Sequence, residues 1–190
     1  MDDITEPKIG IIVGSNRTAR IGLSIAEWLQ GAIKTDGLKI KLIDLASVNL
    51  PYLDEPKMPA LGNYQNEGTK AWSETIKSYD GFVLLFPQYN WGYPAVIKNA
   101  LDYLYDEWAG KPVSIVSYGN HGGFQGYIAM RLVTQGLHMQ TMTANIPLDI
   151  EDGMFDESGK FIDINTALEP YKYSAQMVSQ EFLHLLKQPI

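Results

Sequence analysis

The sequence predicts an α/β protein: a five-stranded parallel sheet in the order 2-1-3-4-5 with helices on both faces. Three observations predict it. Short runs of consecutive apolar, largely β-branched residues recur along the chain, the pattern of strands buried on both faces. Between them, apolar residues fall at spacings of three and four, as in amphipathic helices. Strand and helix alternate throughout, which demands parallel pairing through right-handed crossovers.

Taken in order, Ile9-Gly10-Ile11-Ile12-Val13 forms the first strand and stops at Gly14. A helix follows from Ile21, with Ile21, Ile25, Trp28, Leu29, Ala32 and Ile33 on one stripe, and closes near Gly37. Lys39 to Ile43 alternates like a strand near a sheet edge. Residues 46 to 66 hold three of the ten prolines and keep no period, so a long surface loop is expected there. Thr69 to Tyr79 reads as helix. Gly81 to Phe86 is a buried strand halted by Pro87, and Pro94 opens a helix carrying Val96, Ile97, Ala100, Leu101 and Leu104. Pro112 to Tyr118 is the fourth strand. Tyr127 to Leu137 is a helix with Ile128, Leu132 and Val133 inward, and a weaker fifth strand runs from about Gln140 to Ile146. The acidic stretch from Asp149 to Asp163 turns at Ser158-Gly159, and the last helix is patterned on Leu168, Tyr171, Ala175, Val178, Phe182 and Leu185.

A chain of 190 residues forms one domain, residues 1–190, large enough to bury a core without staples. No apolar run approaches the roughly 20 residues a membrane span needs, and the acidic start, Met1 to Glu6, is unlike a secretion signal. A cytoplasmic protein is expected. The absence of cysteine removes disulfides, thiolate nucleophiles and iron–sulfur clusters. The net charge of −7 argues against nucleic-acid or anionic-membrane partners, which need basic surface. Against that background Arg17 and Arg20, two of only three arginines, stand together in the first loop.

In a sheet of this order, ligands bind outside the carboxyl ends of the strands, at the switch point between the first and third. That rule selects three loops. The first, Gly14 to Arg20, leads into a helix amino terminus and offers Ser15, Thr18, two guanidinium groups and unpaired N–H groups, a phosphate cradle. It matches neither the dinucleotide fingerprint nor the ATP-binding P-loop. The bland reading is a capped helix start with solvated arginines. The second, Pro87-Gln88-Tyr89-Asn90-Trp91-Gly92-Tyr93-Pro94, sets aromatic faces beside amides, as a planar heteroaromatic ring with an imide edge requires. Trp91 and Tyr93 taken singly fit a subunit interface or core equally well.

The third loop, Tyr118-Gly119-Asn120-His121-Gly122-Gly123, is glycine-rich, so its backbone can turn sharply or approach a ligand closely. One loop for a phosphate and two for a flat ring fit a mononucleotide with a large aromatic base. FMN fits better than ATP, because no carboxylate pair of the kind that holds magnesium flanks the first loop.

The motifs Gly-Ser-x-Arg (Gly14 to Arg17), Pro-x-Tyr-Asn-x-x-x-Pro-x-x-x-Lys-Asn-Ala-x-Asp (Pro87 to Asp102) and Tyr-Gly-x-x-Gly-Gly (Tyr118 to Gly123) resemble those of the NAD(P)H-dependent FMN reductases, a flavodoxin-like family. The resemblance spans about residues 8 to 145. It implies that Ser15, Arg17 and the neighbouring loop hold the FMN phosphate, that Pro87 to Trp91 and Gly119 to Gly123 hold the isoalloxazine, and that the chain is a homodimer or homotetramer with the flavin near a subunit boundary. Gln88 and Trp91-Gly92 depart from the commonest pattern, and the Trp91 variant looks most like the quinone-reductase branch.

The implied activity is hydride transfer from NAD(P)H to bound FMN and onward to a small-molecule acceptor, a quinone, azo compound or free flavin, by a ping-pong mechanism. The cofactor carries the chemistry, so no side chain is assigned as general acid or base. His121 is the one candidate proton donor. A flavodoxin-type electron carrier or a flavin-dependent redox sensor would keep FMN but turn over NAD(P)H poorly. A phosphatase of the thiol type is excluded by the lack of cysteine, and a phospho-acceptor domain by Gly14-Ser15 where an acidic cluster would stand.

Overall fold

A computed structural model describes residues 6–186, so of the acidic opening segment only Glu6 lies among the described residues. Strands β1 (Lys8–Val13), β2 (Lys39–Asp44), β3 (Gly81–Pro87) and β4 (Pro112–Gly119) are all parallel, in the order β2-β1-β3-β4. Side chains of β1, β3 and β4 alternate between two cores because successive residues in a strand point to opposite faces. Helices α3 (Glu67–Lys77), α4 (Ala95–Asp102) and α5 (Phe124–Gly136) cover one face, over Ile12, Phe82, Leu84, Phe86 and Ile115. Helices α1 (Gly22–Ala32), α6 (Ile164–Leu168) and α7 (Lys172–Leu186) cover the other, over Ile9, Ile11, Val13, Val83 and Leu85. The predicted fold is therefore present.

The fifth position differs from the expectation of one strand from Gln140 to Ile146. It holds two short strands, β5 (Gln140–Thr141) beside Pro112 and Val113, and β6 (Ile146–Asp149) beside Val116 to Gly119. Between them the chain leaves the ladder and side chains take over its hydrogen bonds. The Asn145 Oδ1 accepts from Ile115 N–H at 2.8 Å, Ser114 Oγ donates to the Ala144 carbonyl at 2.7 Å, and Glu181 accepts from Thr143 and Ala144 N–H. The consequence is positional, because β6 carries Asp149 to the sheet edge where the third loop lies.

Helix α5 also departs from expectation. It begins at Phe124, and Ile128 and Leu132 point outward, 45% and 69% exposed. Gly126, Met130 and Thr134 face the sheet instead, and Val133 is half-buried against the core as predicted. The helix is apolar on more than one face, so spacing alone could not choose the buried one. The final helix is broken by a 3₁₀ turn at Glu169–Tyr171, since Pro170 supplies no N–H to continue the ladder.

The long loop after β2 begins with one turn, α2 (Leu45–Val48), capped by Asp44, and is tied down further on. Asn99 donates to the Pro51 carbonyl at 2.7 Å and accepts from Leu53 N–H at 3.0 Å. Tyr64 donates to the buried Glu107 carboxylate at 2.9 Å, as does Ser73 at 2.6 Å. Burial pushes the Glu107 carboxyl up, but these hydrogen bonds outweigh it and hold the group below its ordinary range. Trp108, fully buried, packs edge-on against Phe82 and Trp72 and closes the core beneath this loop.

Candidate active site

The three loops selected by the switch-point rule meet at the carboxyl end of the sheet. A cavity of about 310 Å³ is lined there by Arg17, Ala19, Arg20 and Ile21 from the first loop, Pro87, Gln88 and Tyr89 from the second, and Tyr118, Gly119 and Asn120 from the third. Ile150 and Asp152 complete the wall. Larger grooves exist elsewhere, but none of them joins these loops. Thr18, Asn90, Trp91, His121, Gly122 and Gly123 are not among the lining residues. Ser15 lies beneath the first loop, almost fully buried.

The Ser15 hydroxyl is buried and makes no well-formed hydrogen bond among the described residues; the Tyr118 hydroxyl beside it offers only a weak one. A buried hydroxyl without a partner is costly, so its presence asks for a ligand or another compensating group. Helix α1 begins without a side-chain cap, leaving first-turn N–H groups facing the same loop. Burial, opposed in part by Ser15 and the two arginines, pushes the Tyr118 phenol up to about 12, so it remains a neutral donor at physiological pH.

The two arginines have different surroundings. Arg17 is exposed at the loop tip. Arg20 reaches back instead: Nη1 and Nη2 contact the two Asp44 oxygens at 2.5 and 2.6 Å, and Nη1 also donates to the Ser15 carbonyl at 2.6 Å. The hydrogen bond to Asp44 raises the Arg20 pKa, and the same contact holds the Asp44 carboxyl below its usual range.

The second loop is a tight hairpin turn. Tyr89 and Gly92 exchange both backbone hydrogen bonds, at 2.9 and 2.8 Å, and Asn90 and Trp91 sit at φ of 48° and 68°, as a two-residue turn of the primed type requires. Asparagine suits that conformation; an aromatic residue there is strained. Trp91 is 73% exposed at the tip. Gln88 lines the cavity, and its Oε1 caps α5 by accepting from Gly126 N–H at 2.9 Å.

In the third loop His121, Gly122 and Gly123 are all left-handed, at φ of 54°, 69° and 65°. His121 is held by its backbone N–H, which donates to Asp149 at 2.8 Å, and Ser117 Oγ donates to the Gly122 carbonyl at 2.6 Å. Asp149, Ile150 and Asp152 escape the sequence pattern because the weak fifth strand it predicts stops at Ile146, three residues short of the edge it serves. Among the described residues no cluster of carboxylates, histidines or cysteines could hold a metal ion, and no helix is long and apolar enough to cross a membrane.

A parallel sheet of this order, with three loops meeting in a cavity at its switch point, defines a flavodoxin-like protein. Residues 7–150 match the family described as NADPH-dependent FMN reductase. An NAD(P)H-dependent FMN reductase of Schizosaccharomyces pombe is 44% identical over 163 residues, covering 82% of each chain. One of Saccharomyces cerevisiae is 40% identical over 147 residues, covering 71% of this chain and 77% of its own. A solved flavoenzyme NAD(P)H:(acceptor) oxidoreductase of Paracoccus denitrificans shares the fold, with a TM-score of 0.72 at 20% identity over 97% of this chain and 100% of its own. The chain belongs to the NADPH-dependent FMN reductase family, whose members are oxidoreductases of FMN and NAD(P)H.

Proposed function

We propose that this protein binds FMN in the cavity at the switch point and uses it to pass electrons from NAD(P)H to a quinone, an azo compound or free flavin. The observation that carries this reading is the single cavity that all three loops line, with the buried Ser15 hydroxyl beneath the first of them. Ser15, Thr18, Arg17 and the first-turn N–H groups of α1 would hold the phosphate. Pro87, Tyr89 and the backbone of Gly119 to Gly123 would hold the ring. When bound, FMN supplies hydride acceptance and two-electron return to an acceptor.

The chain's part is to bind, orient and shield. Gln88 and Asp149 keep the second and third loops in place by fixing Gly126 and His121. The order of events in this reading is ping-pong, with the nicotinamide leaving before the acceptor enters. In stopped flow, oxidised-flavin absorbance should disappear rapidly on mixing the FMN-loaded protein with NADPH or NADH and return on adding a quinone. Slow disappearance would favour a carrier or sensor, and no flavin binding would remove the central claim.

The same reading includes a homodimer or homotetramer in the cytoplasm. Phe124, Ile128 and Leu132 form an exposed stripe along α5, one turn apart. Large exposed apolar surface of this kind marks an interface. An antiparallel pair of α5 helices places Ile128 against its own copy and Phe124 against Leu132, so the stripe is complementary to itself. Ile128→Glu combined with Leu132→Glu should convert the assembly to monomers in light scattering. An unchanged mass would place the interface elsewhere.

A further inference from the structure

We propose that Arg20 and Asp44 form a clasp that presets the phosphate loop, so that Arg20 acts as a positioning residue and leaves direct contact with the cofactor's phosphate to Arg17. The proposal rests on the reading that this loop receives the FMN phosphate. It starts from where the groups stand. Val13 and Asp44 are paired residues at the carboxyl ends of the adjacent strands β1 and β2. The chain between Val13 and α1 must cross that edge with no regular structure of its own. Arg20 closes it from the far end. Its guanidinium fork takes both Asp44 oxygens, the bidentate geometry that arginine makes and lysine cannot.

The fork's Nη1 also holds the Ser15 carbonyl, and the Arg20 N–H bonds the Arg17 carbonyl at 3.1 Å. Two carbonyls of the loop are thereby fixed from one residue. With the Ser15 and Arg17 carbonyls turned toward Arg20, the loop keeps one shape before any ligand arrives, and the cost of ordering it is met by the fold.

Asp44 is itself over-determined. It accepts from Ala46 N–H at 3.2 Å and from Ser47 Oγ at 3.1 Å, so α2 fixes the carboxylate that fixes Arg20. The Arg20 and Asp44 side chains are only 15% and 16% exposed. Arg17, on the same loop, is exposed and makes no described ion pair, leaving its charge for an arriving anion.

The test is the binding of FMN and of riboflavin, read by flavin fluorescence, to wild type and to Asp44→Asn, Arg20→Met, Arg20→Lys and the double variant Asp44→Asn with Arg20→Met. Riboflavin lacks the phosphate, so the FMN-over-riboflavin ratio reports on this loop, whereas general loss of stability weakens both ligands alike. We expect Asp44→Asn and Arg20→Met each to lower that ratio by roughly tenfold or more, with the double variant little worse than either alone, as members of one unit behave. Arg20→Lys, which keeps the charge and loses the fork, should resemble Arg20→Met. The proposal is overturned if Asp44→Asn leaves the ratio unchanged or raises it, because an arginine freed from its carboxylate would then be serving the phosphate directly. Should Asp44→Asn not fold, Arg20→Lys decides alone: a ratio near that of wild type overturns the clasp, and one near that of Arg20→Met supports it. A wild-type protein that does not prefer FMN to riboflavin would overturn the site reading and the clasp with it.

Discussion

Ser15→Ala leaves the FMN-free protein as stable as before or more stable, and weakens its FMN binding about 10- to 100-fold, the loss of a hydrogen bond to a charged group. The opposite signs come from one atom. The Ser15 hydroxyl is buried with no well-formed hydrogen bond among the described residues, so removing it relieves a desolvation cost in the free protein. In the proposed complex the same hydroxyl would donate to the phosphate, and its removal would cost that bond. Riboflavin binding stays unchanged in the variant. Thermal melts of the FMN-free protein together with fluorescence titrations check both halves. A hydroxyl that served only the fold would lower stability when removed and leave FMN affinity alone.

Gly122→Val acts at the other end of the site, and its effect falls first on the fold. Gly122 sits at φ of 69°, and a Cβ there would lie 2.5 Å from the Pro147 Cβ and 3.0 Å from its carbonyl carbon. Pro147 belongs to β6 and cannot retreat without breaking the pairing with Ser117. A left-handed β-branched residue and an overpacked contact together cost about 3 kcal/mol or more. In a chain of this size that lowers Tm by about 6–12 °C. Gly110→Ala, at φ of 73° with open space around the new Cβ, carries the backbone strain alone and should cost only about 1 kcal/mol. Because the proposed site sets the third loop against the ring, Gly122→Val should weaken FMN and riboflavin together, in contrast to Ser15→Ala. Melting curves for both glycine variants and titrations with both flavins separate these contributions.

The inner face of α5 and the partner of Arg20 are both settled by contacts distant in sequence. Spacing identified the α5 helix but not its inner face, because Ile128 and Leu132 are as apolar as Met130 and only the sheet's position selects among them. Likewise a guanidinium in a loop is drawn toward whichever carboxylate the fold brings near, and Asp44 is 24 residues away in sequence. Gln88 is a similar case: nothing local announces that its amide will cap the helix after the next strand.

By itself the sequence determined the sheet, its order and the edge at which the three loops meet. Those rest on local signals, namely apolar runs, helical stripes and the chain's need to cross over in one hand, and each is carried by consecutive residues. It also placed Gly14 to Arg20, Pro87 to Trp91 and Gly119 to Gly123 at one edge, because the switch-point rule needs only strand order. Tertiary structure alone decided which side chains at that edge face the cavity and which brace it. It set Arg20 against Asp44, Gln88 against Gly126 and His121 against Asp149, and it brought in Ile150 and Asp152 through a strand that the sequence ended too early. The physical reason is distance along the chain: the direction of a polar side chain is settled by partners that only folding makes neighbours.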